Sequence, residues 1–483
     1  MRWMSGRARL ATVALAVIAA VVAGGCGGGG SGDKAGGSGE PLVLRMANAY
    51  GDLQTAPVIG HFVAQVKARS GGNLRVQVAN RWGDYADDAE QQVVGAVAAG
   101  KVDLGWAGAR VFDTIGVASF QALGAPMLID NYALEQAVAA SDMPDQMLQG
   151  LDKVGVRGLG VLADGLRKPV AVRHPLLGVG DWRGITFGTL KSQGQAQAIR
   201  SLGATPMEVF RRSRNQALLD GRLQGLEMDL FVYEHGALAQ PAPYVTANVT
   251  LWPQMDVLLA NPDRLARLTE RQRGWLEQAA QDAAGRVAAL ADRDAQSLKT
   301  TCRSGARFAN ASPADLAALR GAFAPVYASL ERDPQTKAFI ERIQALKRST
   351  SAEAPLAIPA GCTGKASGRP AASTGTVPAD LNGVYRYTIT KKDAIAAGAG
   401  DDPDYPATNT VWLKDGSFRA TGGLRATYSV TGDRITFDIP EFGYSLTFTL
   451  SVDGKGNLHL TPVQPMDHGD AVLWSTKPWI KIG

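Results

Sequence analysis

The chain has 483 residues, 45% hydrophobic and 20% charged, a globular composition that excludes wholesale disorder and a collagen-like fibre. Its length predicts about three structural units. The formal charge of +5 falls to +2 (5 − 3) once Arg2, Arg7 and Arg9 of the first 25 residues are set aside, and the lack of a concentrated basic stripe argues against a nucleic-acid partner.

Residues 1–25 read as an export signal. Three arginines precede a 14-residue apolar stretch, Leu10 to Ala23, which is too short to span a bilayer stably. Ala23-Gly24-Gly25-Cys26 resembles a bacterial lipobox. That resemblance implies cleavage before Cys26, lipidation of its sulfur, and a cell-membrane location on the extracytoplasmic face. A glycine/serine tether over 26–40 would hold the folded part off the membrane. No run of 18 apolar residues occurs, which excludes a polytopic membrane protein.

From 41 to 350 strands alternate with helices. Leu42 to Ala47 and Asn73 to Ala79 alternate with period two, whereas Ala56 to Ala68 puts Val58, Phe62 and Val66 on one helical face. Asp87 to Ala99 is helical, and Val102 to Ala107 is a short strand. Further on, Gly158 to Leu162 and Pro169 to Val172 are expected as separate strands. Ser213-x-x-Gln216 reads as a capping box opening a short helix, and Thr269-x-x-Gln272 opens a long one running to about Lys299. This alternation predicts an α/β sandwich.

Residues 351–380 form a linker rich in alanine, proline, glycine, serine and threonine. Over 381–483 the period becomes that of short strands, with turn signals at Asp415-Gly416, Gly432-Asp433 and Asp453-Gly454. A small all-β domain, a meander or small barrel, is expected. The tail from Trp474 brings two tryptophans together, read either as a core-closing strand or as an aromatic surface for sugar or wall polymer.

Cys302 and Cys362 suit a disulfide in an oxidising compartment, worth about 4 kcal/mol for such a loop. The five histidines are scattered, and no G-x-S-x-G, H-E-x-x-H or Walker motif occurs. Asp467-His468-Gly469-Asp470 reads as a turn. No cofactor, metal or catalytic residue is expected.

A set of motifs falls in order between Leu44 and Lys347. They include RSGGNLRV (Arg69 to Val76), AGKVDLG (Ala99 to Gly105), LGAPML (Leu123 to Leu128), GLR (Gly165 to Arg167), DWRG (Asp181 to Gly184), LGATP (Leu202 to Pro206) and ALLDGRLQGLE (Ala217 to Glu227). This pattern resembles the extracytoplasmic solute receptors of TRAP transporters, the DctP-type family. The resemblance implies a two-lobed, hinged, periplasmic-binding-protein-like (type II-like) α/β receptor. It also implies a small organic anion between the lobes and a TRAP permease that accepts it.

The resemblance places Arg167 in the cleft, where a guanidinium pairs with a carboxylate through two parallel bonds. The family's second arginine falls at Gly188, and its usual asparagine at Met228. Both departures predict a ligand larger or less acidic than a C4-dicarboxylate, with Lys191 or Arg110 partly replacing the missing charge. Loops at strand ends add Asn48, Tyr50, Trp106, Thr189, Ser192, Glu227 and Tyr233 as candidates. The function expected is a lipid-anchored receptor feeding a TRAP permease. The alternatives are a permease-independent sensor or envelope lipoprotein that uses the β domain, and a hydrolase with unrecognised carboxylates.

Overall fold

The computed structural model describes residues 40–483 except 52, 237, 240, 352–354, 365–380, 399–405, 422–423, 440–443 and 465. Cys26 and the expected export signal lie outside the described residues. Two sheets organise the chain, one before residue 310 and one after 382.

The first sheet holds ten strands: β1 (Leu42–Ala47), β2 (Leu74–Ala79), β3 (Leu104–Gly108), β4 (Arg157–Ala171), β5 (Thr186–Thr189), β6 (Thr205–Glu208), β7 (Gly225–Met228), β8 (Tyr244–Thr246), β9 (Trp252–Ala260) and β10 (Arg307–Ala309). Their order is β2-β1-β3-β9-β4-β7-β5-β6, with β8 joining β4 to β10. β1 pairs parallel with β2 and β3, and β5 pairs parallel with β6 and β7, so each lobe has a parallel half. β4 is shared: its first part pairs antiparallel with β9 and its last residues with β7 and β8. The protein is therefore a two-lobed α/β fold hinged along β4 and β9.

β4 is one strand of 15 residues, where two separate strands are expected from the sequence. The glycines and the Arg-Lys pair suggest a surface break. Instead Val161 onward is buried on both faces, and a buried strand has no alternation to read. The long helix beginning after the Thr269 cap is also divided, into Glu270–Ala284 and Ala288–Arg303, at Gly285. The first part packs on helix Pro57–Arg69 of the first lobe and the second on helix Leu230–His235 of the second lobe. The pair thus spans both lobes. A Cys302–Cys362 bond, with Cα atoms 5.4 Å apart, fastens the segment after the body to the end of the second part.

The second sheet is an antiparallel meander: β11 (Gly383–Ile389), β12 (Ala407–Lys414), β13 (Ser417–Ala420), β14 (Arg425–Thr431), β15 (Arg434–Ile439), β16 (Tyr444–Val452), β17 (Leu458–Pro462) and β18 (Ile480–Lys481). β18 returns beside β11, while Leu458 and Trp479 exchange both backbone bonds at 3.0 and 2.8 Å. The meander thereby closes into a small barrel. Inside, Trp474 and Trp479 pack on Phe418, Phe437 and Phe448, with centroids 5.0 to 6.4 Å apart. Both tryptophans are essentially fully buried. The aromatic-surface reading of the tail is overturned: helix His468–Ser475 carries Trp474 inward, and the barrel closure covers Trp479.

Candidate ligand-binding cleft

The cleft lies beside the β4 crossing and is narrow, a cavity of about 60 Å³. The register of β4 against β9 slips between Ala163 and Leu166. This bulge brings both Asp164 and Arg167 to the cleft wall. Gly165 sits within it, and a Cβ there would fall 2.5 Å from the Asp229 side chain. Only glycine permits that approach.

Arg167 is buried, and two acids of the second lobe already hold it. Its Nε donates to Glu227, its Nη2 to Glu227 Oε1 at 3.1 Å, and its Nη1 to Asp229 Oδ2 at 2.8 Å. Burial alone would lower its pKa, but Glu227 and Asp229 hold it above the ordinary value. Asp229 also caps helix Leu230–His235, its Oδ1 accepting from Val232 N at 2.8 Å. The residue is thus positioned as expected in the cleft, but its fork faces internal carboxylates.

Gly188 lines the cleft in a tightly packed spot. A Cβ would meet Val209, Leu223 and Leu226 at 3.1 to 3.4 Å. An arginine would have to displace three apolar side chains. Thr189 next to it, Trp106, Tyr50, Glu227 and Met228 all line the same space. Tyr50 stacks on Trp106 at 5.1 Å and tilts against Phe210 at 5.1 Å, forming an aromatic wall. Burial pushes the Tyr50 hydroxyl pKa up, with Glu90 adding to the shift, so it stays protonated.

Other candidates are elsewhere. Asn48 is buried behind the wall, donating to Tyr50 O at 3.2 Å and Asn80 Oδ1 at 2.9 Å. Tyr233 is core, with its hydroxyl on Ala242 O at 2.9 Å. Lys191 does not line the cleft. Arg110 is buried with Glu90 and donates to Gln254 Oε1 at 3.1 Å. It lines an adjoining recess with Asp113 and Ser192, not the main cleft. Neither cation therefore stands in for the arginine missing at Gly188.

Sequence reading missed Arg211, Arg214, Asp164, Asp229, Gln254 and Asp256, all of which line the cleft. The basic run Arg211-Arg212-Ser213-Arg214 was the available signal for the arginines. It was obscured by treating Ser213 as a helix cap. The helix is Arg211–Leu219, and Ser213 lies inside its first turn, accepting from Phe210 N at 3.0 Å. Asp256 is buried beside Gln254, and burial followed by Asp164 pushes its pKa well above the usual carboxylate range. Asp164 is pushed up to about 6, by burial against the opposing pull of Arg293, whose Nη2 donates to it at 2.9 Å.

Two carboxylates of the first lobe reach across to helix starts of the second. Asp87 Oδ1 accepts from Phe210 N at 3.0 Å and Ser213 Oγ at 2.5 Å. Asp113 accepts from Ser192 Oγ at 2.6 Å and Gly194 N at 2.9 Å. Each satisfies donors that a helix start leaves open and complements its positive end. The lobes are held closed by these contacts at the cleft's edges.

Residues 47–333, more than half of the chain, match DctP, the bacterial extracellular solute-binding protein family 7. The protein YiiZ of Salmonella typhimurium, itself uncharacterized, is 24% identical over 311 residues, 63% of this chain and 92% of that one. The fold is similar to a TRAP periplasmic solute binding protein from Roseobacter denitrificans with bound β-D-glucuronate. That likeness has 20% identity and a TM-score of 0.57, and covers 63% of this chain and 99% of the other. It is also similar to the sugar acid binding protein DctPAm of Advenella mimigardefordensis in complex with galactonate, at 20% identity and 0.57, covering 65% and 99%. A Ralstonia eutropha TRAP protein with bound (S)-2-acetolactate gives 19% and 0.58, over 64% and 99%. With its hinge along β4 and its closed interlobe cleft, the chain belongs to the DctP family of bacterial extracellular solute-binding proteins, a family of receptors and not of enzymes.

Proposed function

We propose that this protein is a lipid-anchored extracytoplasmic receptor that captures a small organic acid between its lobes and delivers it to a TRAP-type permease. The observation that carries the reading is the cleft itself, walled by both lobes, lined by arginines and stacked aromatics, and placed at the strand crossing. Closure over a ligand turns affinity into a change of shape that a membrane partner can read. The similar structures hold hydroxylated or keto monocarboxylates, which supports a ligand of that class over a C4-dicarboxylate. Anchoring rests on Cys26 and the tether, and among the described residues no helix is long and apolar enough to cross a membrane.

Binding raises stability by mass action, so a thermal-shift screen of organic acids, polyols and amides tests the receptor reading. Saturating ligand at 100 times its Kd should add about 2.7 kcal/mol. A chain whose melting is moved by no acid in the screen is not such a receptor. Metabolic labelling with a fatty acid tests the anchor, and Cys26→Ala should abolish the label and release the protein from membranes.

A further inference from the structure

The cleft presents three arginines in very different states. Arg167 is saturated by Glu227 and Asp229. Arg211, nearer the mouth, meets Asp467 of the β domain at 3.1 Å. Arg214, on the helix Arg211–Leu219, is 9% exposed. Its Nε and Nη2 reach only the amide oxygen of Asn215, at 3.0 and 2.9 Å. Among the described residues it has no carboxylate partner. Burial, with Arg211 and Arg167 adding to it, pushes its pKa down to about 9, so it is charged at neutral pH but at a cost.

Three further buried polar atoms on the same cleft lack a partner among the described residues: Trp106 Nε1, Thr189 Oγ1 and Asp256 Oδ2. One is a donor, one both donor and acceptor, and one an acceptor, or a donor when protonated. Buried polar atoms are normally satisfied, and a ligand bearing hydroxyl groups would satisfy these. The acids Asp164, Glu227, Asp229 and Asp256 also line the space. Because Arg167 and Arg211 are already paired with acids, a second negative group on the ligand would find no uncommitted arginine among the lining residues.

We infer that Arg214 pairs with the ligand's single carboxylate, that Arg167 is an internal strut, and that Trp106, Thr189 and Asp256 read hydroxyl groups. The ligand class is a polyhydroxylated monocarboxylate. This inference rests on the receptor reading above and goes further by assigning the charge to a helix residue of this chain. Arg214 supplies the positive fork that glycine at 188 does not.

Calorimetry on the full chain with a panel of aldonates and uronates, their neutral polyols, and succinate tests it. The wild type should bind at least one hydroxy acid, roughly tenfold or more tighter than the matching polyol or succinate. Arg214→Gln should weaken the acid by about a hundredfold or more and leave the polyol within about threefold. Arg214→Lys, with charge but no fork, should fall between. Removing an unpaired buried charge should also raise the melting temperature of the ligand-free protein. If Arg214→Gln keeps wild-type affinity for the acid, the assignment is wrong while the receptor reading stands. A wild type that binds no acid defeats both. Should the variants not fold, the wild type crystallised with its acid decides: the carboxylate must lie about 3 Å from Arg214, and its placement elsewhere overturns the inference.

Discussion

Beside its apolar cores, the receptor body buries a cluster of charged side chains that the aromatic centre of the C-terminal barrel lacks. Along β4 and its neighbours the body buries Asp164, Arg167, Glu227, Asp229, Asp256 and, one layer deeper, Glu135 and Asp294. The barrel instead centres on Trp474, Trp479, Phe418, Phe437 and Phe448. An aromatic cluster is complete by itself, because its gain comes from area and ring geometry. A buried charge cluster is costly unless every member is paired. The body therefore carries a destabilising region that a ligand can relieve, and the barrel does not. That difference favours binding in the body and predicts a separate stability for the barrel.

Substitutions at the two centres should separate the domains most widely. Trp474→Ala should cost the barrel about 3–5 kcal/mol and abolish its calorimetric transition, with ligand affinity of the body unchanged. Glu227→Ala leaves Arg167 short of its main partner. A loss of about 3–5 kcal/mol is expected in the body transition alone, read by urea titration. A single transition responding to both changes would refute the separation.

Acidity should act on the two domains over different ranges of pH. Asp164 and Asp294 are pushed up to about 6, each by burial, while Glu135 and Asp256 lie well above the usual range. The native body then holds protons that the unfolded chain releases, so its stability falls as pH rises from about 4 through 6 and beyond. Its melting temperature should be higher at pH 5.5 than at 7.5, and Glu135→Gln should flatten part of that slope. In the barrel, bonds from Lys477 and Thr390 hold Asp393 down at about 2. Its contribution is complete above about pH 4 and is lost as pH falls toward 2, so the barrel transition should stay flat between 5.5 and 7.5.

The smallest effect is expected where the domains touch. Arg211 and Asp467 are both partly exposed, and such a pair is worth about 0–1 kcal/mol. Asp467→Ala should leave both transitions nearly unmoved. Ligand affinity, measured in a double-mutant cycle with Arg211→Ala, is the more sensitive readout of any communication between them.

Much of this was readable before the fold was known. Period-two alternation gave β1 with the observed bounds, and the turn pairs separated the barrel strands because one face of each is wet. β4 was not legible as one strand, because burial on both faces removes alternation. Arg167 was found through a motif, but its partners were not. Glu227 and Asp229 meet it only because β7 lies antiparallel to β4, pairing Pro169 with Glu227. Arg214 was hidden by a local signal, a serine that looked like a cap. Its lack of a carboxylate neighbour is a fact of tertiary packing that no sequence window contains.

The Cys302–Cys362 bond fixes where the chain leaves the receptor body. Without it, the body's final helix, Pro334–Ser349, would be the last element to hold the chain. The bond instead ties residue 362 to the end of helix Ala288–Arg303, on the second lobe. Reduction should remove that attachment and lower the body's melting temperature, by an amount set by the roughly 4 kcal/mol that closing such a loop is worth.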